Sequence, residues 1–223
     1  MKIAILTQYY PPETGAPQNR LSDLAWRLSA NGHQVTVLTA LPNYPTGRFL
    51  PGYRRLLWKR TTQNNIEITH CWLYPTRSKR VILRLLNYLT FVISSAIIGT
   101  FVLPKVNVLL VESPPIFLGI TGWWLSRIKK ARLIFNVSDL YPDSAITLGF
   151  LRNPGLQKIM YWFEAWCYSV SHIVVGQTEG IVRSIRSRFP DKVVYLLTNG
   201  ISVEQFAVSL AQPVSNNHKK KQN

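Results

Sequence analysis

The 223-residue chain is 47% apolar, which is enough to bury a core as one large or two small domains and excludes extensive disorder outside its ends. Its 26 Lys and Arg residues against 10 Asp and Glu give a formal net charge of +16, which indicates a polyanionic partner such as a membrane surface, a nucleic acid or a phosphorylated substrate. Two cysteines without a CxxC pair and four widely spaced histidines exclude a disulfide framework and a local metal-ligand motif, so we expect a reducing compartment and no bound metal.

The chain opens with a predicted strand, loop and helix. Residues 3–6 form a short, apolar, β-prone run that predicts a buried central strand, and Pro11-Pro12 forces this strand to end near Thr7. Apolar residues at helical spacing over residues 21–28 predict a helix, with Gly32 as its C′ residue. Because ligands of open parallel sheets bind beyond the carboxyl ends of the strands, the loop after this first strand is the first candidate site.

Further predicted strands alternate with helices along the chain. Six more strands are predicted, over residues 34–40, 66–72, 106–111, 132–137, 172–176 and 193–197, with helices over 116–128 and 156–170. Parallel strands need crossover connections, and right-handed crossovers dominate, so the alternation predicts an α/β fold with a doubly wound, Rossmann-like parallel sheet. We expect this domain to cover residues 1–206 and a basic, disordered tail to cover residues 207–223.

The segment over residues 85–103 departs from an ordinary α/β domain, because its 19 residues carry no charge. It follows a basic stretch, since residues 48–84 contain nine Lys and Arg and a single acid, Glu67. Three interpretations are open: a monotopic helix seated in a membrane interface, a helix wholly buried in the protein, or a true span. A span would divide the strands of one sheet across the bilayer. We expect a membrane-associated helix near residues 78–103, on an anionic membrane surface.

Five loop segments, taken in order, resemble one protein family. They are YYPPETGAPQNR (residues 9–20), GHQVTVLTALPNYPTGRF (32–49), ESPPIFLG (112–119), SDLYPDSA (138–145) and TNGISVEQF (198–206). Together they resemble the amino-terminal half of the retaining, two-domain (GT-B type) bacterial glycosyltransferases of glycosyltransferase group 1, or family 4. Within that family they are similar to the enzymes of capsule, O-antigen (lipopolysaccharide) and colanic acid assembly.

The resemblance implies an enzyme whose amino-terminal domain binds the acceptor, often a sugar on an undecaprenyl diphosphate carrier. A second domain would bind most of a nucleotide-sugar donor, and the family needs no metal or cofactor. The family's Glu-x7-Glu element is not found, and Asn199 and Gly200 stand at the expected interdomain crossover. We therefore expect a chain that lacks the second domain, is inactive alone, and could be complemented by a separate donor-domain polypeptide. Its expected location is cytoplasmic, peripheral (monotopic) on the inner face of the bacterial plasma membrane.

Four residues around the first loop are candidates for the donor side. Following the resemblance, Gly15 and Ala16 would let main-chain N–H groups approach a donor phosphate or sugar, helped by the dipole of the following helix. Arg20 would face the donor phosphates, and Glu13 would hydrogen-bond sugar hydroxyls. The alternatives are an ordinary strand-to-helix turn, a solvated arginine and an ion pair at the rim.

The second loop carries three candidates for the acceptor side. Asn43, Tyr44 and Arg48 follow the strand predicted over residues 34–40. The arginine would bind the acceptor diphosphate as a fork of hydrogen-bond donors. The alternative is a surface loop whose arginine faces the membrane.

A third loop follows the strand predicted over residues 132–137. Asp139 lies just after the strand, and Pro142 rigidifies the loop that carries Tyr141 and Asp143. We expect Asp139 to orient acceptor or sugar hydroxyls rather than to act as a general base, because the resemblance implies that a donor-phosphate oxygen accepts the acceptor's proton. The alternative is that Asp139 caps the next helix or turn.

Two functions remain open from the sequence. The first is the acceptor-binding part of a glycosyltransferase that moves a sugar from a nucleotide-sugar to a lipid-linked saccharide in bacterial surface polysaccharide synthesis. The second is a non-catalytic, membrane-associated module that binds a lipid-linked sugar or a partner enzyme. Nucleic-acid binding is not expected, because no recognition motif accompanies the basic charge.

Overall fold

Strands and helices alternate along the described part of the chain, residues 1–78 and 80–198 of a computed structural model. The strands are β1 (Lys2–Leu6), β2 (Gln34–Ala40), β3 (Trp58–Gln63), β4 (Ile66–Cys71), β5 (Val108–Ser113), β6 (Arg132–Val137), β7 (Ile173–Gly176) and β8 (Val194–Leu196). The helices are α1 (Ala16–Ala30), α2 (Val81–Val102), α3 (Leu118–Lys129), α4 (Asp143–Thr147), α5 (Pro154–Val170) and α6 (Glu179–Arg188). The predicted tail and the predicted crossover at Asn199 and Gly200 lie outside the described residues.

The strands form one sheet in the order β3-β4-β2-β1-β5-β6-β7-β8. All neighbouring strands are parallel except β3, which pairs antiparallel with β4. The chain moves from β1 to β2 in one direction and from β5 to β8 in the other, so the strand order reverses at β1. The predicted α/β fold with a doubly wound, mostly parallel sheet is confirmed, and its topological switch point lies between β1 and β5.

Strand β1 is the centre of both the sheet and the core. Its residues Ala4, Ile5 and Leu6 are fully buried, and their side chains alternate between the two faces of the sheet. Ile5 packs in the cluster under α1, whereas Ala4 and Leu6 pack in the larger cluster that α2, α3, α5 and α6 cover. A strand covered on both faces is apolar throughout, which explains the uninterrupted apolar run at residues 3–6.

The sequence pattern misses strand β3 and its hairpin to β4. β3 is a polar edge strand, WKRTTQ, whose residues are exposed or half-buried, so it lacks the apolar run of a buried strand. Asn64 and Asn65 join the two strands, and both have a positive φ (50° and 61°), as a tight hairpin turn requires. This Asn-Asn pair is the signal from which the hairpin could have been predicted. Elsewhere, β2 and β6 have the predicted bounds, while β5 begins and ends two residues later than predicted.

Helix α2 buries polar as well as apolar side chains, while several of its large apolar side chains are exposed. Asn87 and Ser95 are buried, and Asn87 donates a hydrogen bond of 2.7 Å to the Tyr74 carbonyl oxygen. Ile93 and Ile97, in contrast, are 59% and 57% exposed. By length and composition α2 could cross a membrane, yet the strands before and after it share one sheet, which a span would not allow. Only 22% of its most apolar 18-residue stretch is buried, so the described part of the protein does not bury the helix wholly.

Gly99 determines how closely α2 approaches the core, and this close approach gives a stability prediction. A Cβ atom added at Gly99 would lie 2.8 Å from Leu125 Cδ1 and 2.9 Å from Leu38 Cδ2. We expect Gly99→Ala to lower the free energy of unfolding by about 1–3 kcal/mol, because overpacking outweighs the roughly 1 kcal/mol helix preference of alanine. Urea denaturation followed by circular dichroism measures the change.

The matched control for this prediction is Gly180→Ala in α6. An added Cβ there would have Thr178 Oγ1, 3.8 Å away, as its nearest neighbour, so the substitution should be neutral or stabilising. Equal changes in unfolding free energy for the two variants would contradict the packing argument at Gly99.

Candidate functional site

The candidate site lies along the carboxyl edge of the sheet, on both sides of the switch point between β1 and β5. The loops after β1, β2, β5 and β6 all leave this edge, because their strands are parallel. Open parallel sheets bind their ligands in the crevice outside this edge. Every described residue that the sequence analysis proposes for the site lies on one of these loops or at the start of the helix that follows it.

A buried polar cluster at this edge joins α1, β5 and β6. Glu112 on β5 is 1% exposed, and its Oε1 lies 2.5 Å from Arg20 Nη2. Asn136 donates to Glu112 Oε2 at 2.6 Å, the Ser138 hydroxyl donates to Oε1, and the Gln177 side chain contacts Ser138. Burial raises the pKa of the Glu112 carboxyl, while the Arg20 guanidinium and the hydrogen bonds oppose the rise. Arg20 is therefore held by a buried carboxylate, and its contact with donor phosphates stays a prediction.

Glu13 connects the first loop to the second. It is 5% exposed, and its Oε1 accepts hydrogen bonds from the main-chain N–H groups of Asn43 (2.6 Å) and Tyr44 (2.7 Å). Gln18 Nε2 donates to the other carboxylate oxygen at 3.3 Å. Burial raises the pKa of Glu13, and these hydrogen bonds oppose the rise. The carboxylate is thus occupied by protein donors, and its contact with sugar hydroxyls stays a prediction.

Gly15 and Ala16 lie where the first loop meets α1. Gly15 precedes the helix with an extended backbone (φ 164°), and Ala16 begins it. A Cβ atom at Gly15 would lie 2.5 Å from Oε1 at the far end of the Gln18 side chain, so a larger residue there would require this side chain to shift. Gln18 Oε1 is buried and has no hydrogen-bond partner among the described residues. Pro17 has no N–H group, which leaves few main-chain donors for the predicted phosphate contact.

A cleft of about 260 Å³ lies between the first two loops and the start of α2. Asn43 and Tyr44 line it, together with Tyr9, whose ring packs edge-on against Tyr44 with the centroids 6.0 Å apart. Gly47 has a positive φ of 66°, and a Cβ added there would lie 2.4 Å from the main-chain nitrogen of Arg77. The second loop therefore packs directly against the segment before α2, and this contact forms one side of the cleft.

The start of α2 forms another wall of the cleft. Arg84 Nη2 lies 3.4 Å from the Tyr88 hydroxyl, and Gln8 Nε2 donates to Asn87 Oδ1 at 2.7 Å. Gln8 Oε1 is buried without a hydrogen-bond partner in the part of the chain that the structure describes. Arg84, Tyr88 and Gln8 are not among the site residues predicted from the sequence. The i, i+4 spacing of Arg84 and Tyr88 at the amino-terminal end of the apolar segment is the signal that could have found two of them.

The other predicted residues do not line this cleft. Arg48 on the second loop is exposed, and so is Asp139, two residues after β6. Tyr141 is half-buried, and burial raises its pKa. Asp143 begins α4 and accepts a hydrogen bond from the Tyr161 hydroxyl. The ligand-binding roles of these four loop residues stay predictions.

A larger cavity of about 530 Å³ lies at the opposite edge of the sheet, at the amino ends of β1, β2 and β5. The sequence analysis proposes no site residue there. Within residues 1–78 and 80–198, no three His, Cys, Asp or Glu side chains are grouped so that they could hold a metal ion.

A doubly wound sheet with polar loops around its switch point is a Rossmann-like fold, which by itself does not specify an activity. The chain belongs to the glycosyl transferase 4-like domain family, whose model matches residues 15–200. Over 154 residues it is 27% identical to WcaI of Escherichia coli (strain K12), described as a colanic acid biosynthesis glycosyl transferase. The match covers 67% of this chain and 37% of WcaI.

Solved structures show the same fold. Sucrose-phosphate synthase from Thermosynechococcus elongatus superposes with a TM-score of 0.61 and 12% identity, over 95% of this chain and 53% of the synthase. Anabaena HepE in complex with UDP-glucose superposes with a TM-score of 0.52 and 12% identity, over 92% of this chain and 45% of HepE. At such identity the likeness establishes the fold alone. The chain spans about half the length of these two enzymes.

Removal of Arg20 tests the buried ion pair. We expect Arg20→Met to lower the free energy of unfolding by about 3–5 kcal/mol at neutral pH, because Glu112 stays buried without its cation. Loss of the cation raises the pKa of Glu112 further above its unfolded-state value. The folded variant then binds a proton as the pH falls through that raised pKa, so the loss of stability shrinks on acidification. Urea denaturation across the pH range measures both effects.

Two controls accompany this measurement. Arg20→Met combined with Glu112→Gln should recover part of the loss and remove its pH dependence. Arg60→Met removes a surface ion pair between Arg60 and Glu67, whose side chains are 47% and 38% exposed. It should lower the free energy of unfolding by less than about 1 kcal/mol. A loss in Arg20→Met that does not change with pH would contradict the assignment to Glu112.

Proposed function

We propose that this chain is the acceptor-binding part of a glycosyltransferase that moves a sugar from a nucleotide-sugar to a lipid-linked saccharide in bacterial surface polysaccharide synthesis. It would act as a peripheral, monotopic protein on the inner face of the bacterial plasma membrane. Membership of the glycosyl transferase 4-like family supports the reaction class, and the similarity to WcaI supports the polysaccharide pathway. The proposal of a lipid-linked acceptor rests on the exposed apolar surface of α2, which lies beside the cleft.

The membrane proposal is supported by exposed apolar side chains on three neighbouring helices. On α2, Ile82 and Phe101 are 79% and 83% exposed. Trp124 of α3 donates a hydrogen bond of 3.0 Å to Thr100 of α2, and Trp162 of α5 is 67% exposed. Tryptophan is enriched where proteins meet the lipid headgroups, and large exposed apolar patches mark interaction surfaces. The net charge of +16 adds attraction to anionic lipids, about 1 kcal/mol for each basic residue near the surface.

The donor would be bound mainly by residues outside this chain. A second α/β domain would hold the nucleotide-sugar, either in a longer chain or as a separate donor-domain polypeptide. As in the family, the reaction would retain the configuration of the transferred sugar and need no metal or other cofactor. On the carboxyl edge, Asp139, Tyr141 and Asp143 would orient sugar hydroxyls.

A non-catalytic module that binds a lipid-linked sugar is the second candidate function. It is favoured by the internal contacts of two donor-side residues, since Glu13 binds main-chain N–H groups and Arg20 binds Glu112. Transfer from a nucleotide-sugar after a donor-domain polypeptide is supplied would favour the enzyme. Binding without transfer under the same conditions would favour the module.

Vesicle binding tests the membrane proposal. We expect Ile93→Gln with Ile97→Gln to weaken partitioning to phosphatidylglycerol-containing vesicles at least about tenfold, because each buried apolar side chain contributes about 1.5–3 kcal/mol. The matched control, Val193→Gln with Tyr195→Gln, changes two side chains of similar exposure near β8 and should leave partitioning unchanged. Co-sedimentation measures the bound fraction. Equal effects in the two double variants would argue against a membrane-seated α2.

Binding of a lipid-linked sugar tests the acceptor role. The probe is a polyprenyl diphosphate that carries one sugar, compared with the same lipid without sugar, in detergent micelles. We expect the sugar to strengthen binding, and Asp139→Asn to reduce that gain by about 1.5–3 kcal/mol, because it removes a charged hydrogen-bond acceptor. Asp191→Asn changes an exposed aspartate at the opposite edge and is the matched control. Tryptophan fluorescence titration measures affinity, and the absence of any sugar-dependent gain would refute the acceptor role.

A further inference from the structure

Arg84 places a cation at the cleft, and it has no carboxylate partner among the described residues. Among the residues that the structure describes, the arginines in ion pairs are Arg20, Arg27, Arg60 and Arg188. Arg84 instead lies beside the Tyr88 hydroxyl and over the ring of Phe150, with Cζ 5.9 Å from the ring centroid. Its guanidinium is therefore positioned by aromatic groups, and within the described residues one of its N–H groups is engaged.

Tyr88 and Tyr9 line the same cleft as this guanidinium, and the charge of Arg84 also acts on Tyr141. Tyr88 lies one turn along α2 from Arg84, Tyr9 belongs to the first loop, and Tyr141 belongs to the loop after β6. Burial raises the pKa of Tyr9 and Tyr141, and the positive charge of Arg84 opposes the rise, as expected for hydroxyls close to a cation. A fork of charged donors beside neutral hydroxyls suits a phosphate group with a sugar next to it.

The polar groups next to the cleft do not neutralise the positive charge of Arg84. The Glu13 carboxylate is close to the cleft, because its Oε1 accepts hydrogen bonds from the N–H groups of Asn43 and Tyr44, which line the cleft, and these bonds satisfy that oxygen. Gln8, which also lines the cleft, is 2% exposed, and its Oε1 has no hydrogen-bond partner within the described residues. This buried acceptor needs a hydrogen-bond donor, which the hydroxyl of a sugar next to the phosphate could supply and a diphosphate could not.

Arg84 also stands at the border between the cleft and the apolar surface of α2. Its neighbours Ile82 and Leu85 are 79% and 38% exposed, so a phosphate at Arg84 leaves an attached apolar chain free to follow α2 into lipid. We propose that Arg84, with Tyr88 and Arg77 of the same cleft, binds the diphosphate of the lipid-linked acceptor. This inference rests on the proposed function, and it assigns the diphosphate to the start of α2 rather than to Arg48, which lies outside the cleft.

The full 223-residue chain is titrated with geranylgeranyl diphosphate in uncharged detergent micelles. Geranylgeraniol is the probe without phosphate, and inorganic diphosphate is the probe without lipid. The parent chain should bind the lipid diphosphate at least about tenfold more tightly than the alcohol, and Arg84→Gln should remove about tenfold of this preference. Tyr88→Phe, which removes one hydroxyl, should reduce the preference for the diphosphate over the alcohol about two- to fivefold. The matched controls are Arg80→Gln and Arg48→Gln. Each should change the preference for the diphosphate less than about twofold, because these exposed arginines do not line the cleft.

The outcomes separate this inference from the function on which it rests. If Arg48→Gln loses the preference while Arg84→Gln keeps it, the second loop binds the diphosphate, and the inference is overturned while the function stands. If the parent chain does not prefer the diphosphate to the alcohol, the lipid-linked acceptor and the inference both fail. Inorganic diphosphate that binds as tightly as the lipid would overturn the lipid assignment. Circular dichroism checks the fold, and Tyr88→Phe keeps the guanidinium and tests the site independently of Arg84→Gln.

Discussion

The position of β1 between β2 and β5 is the constraint on which the rest of the structure depends. β1 pairs with both neighbours, and residues 4–6 are fully buried, so neither face of this strand accommodates a polar side chain. Because the strand order reverses here, the loops after β1, β2, β5 and β6 surround one crevice. The polar groups drawn into this crevice find partners on other elements, as Glu13 does on the second loop and Arg20 does in Glu112. The sheet thereby fixes the relative positions of the loops.

Helix α2 connects this crevice to the apolar surface. Asn87 hydrogen-bonds to Gln8 on the first loop and to Tyr74 before the helix, at 2.7 Å in each case, and Thr90 Oγ1 accepts from the Tyr74 N–H at 2.9 Å. A helix that faces water would turn such polar side chains outward, whereas here they hold α2 to the protein and several large apolar side chains of α2 are exposed. Asn87 therefore ties α2 to the first loop, and the same helix contributes to both the cleft and the apolar surface.

The order of the elements could be predicted from the sequence, because buried parallel strands and their crossover helices carry a local apolar pattern. The runs QVTVLTA and RLIFNV give the bounds of β2 and β6 as observed. The partners of the polar site residues could not be predicted in this way. Arg20 and Glu112 are 92 residues apart, and Glu13 and Asn43 are 30 apart, so no local spacing reveals that they meet. Such pairs follow from the strand order, which brings distant loops to one edge.

The distribution of charge explains why the cleft presents cations. The buried acids of the described residues, Glu13, Glu112 and Glu164, all have internal partners, and Glu164 is held by Arg188 at 2.5 Å. Burial raises the pKa of each carboxyl, and the partners offset the cost of desolvating the charged groups. With these acids turned inward, the excess of Lys and Arg over Asp and Glu is left to the surface. A basic surface beside an outward-facing apolar helix favours a partner that combines phosphate with lipid over a neutral or purely soluble one.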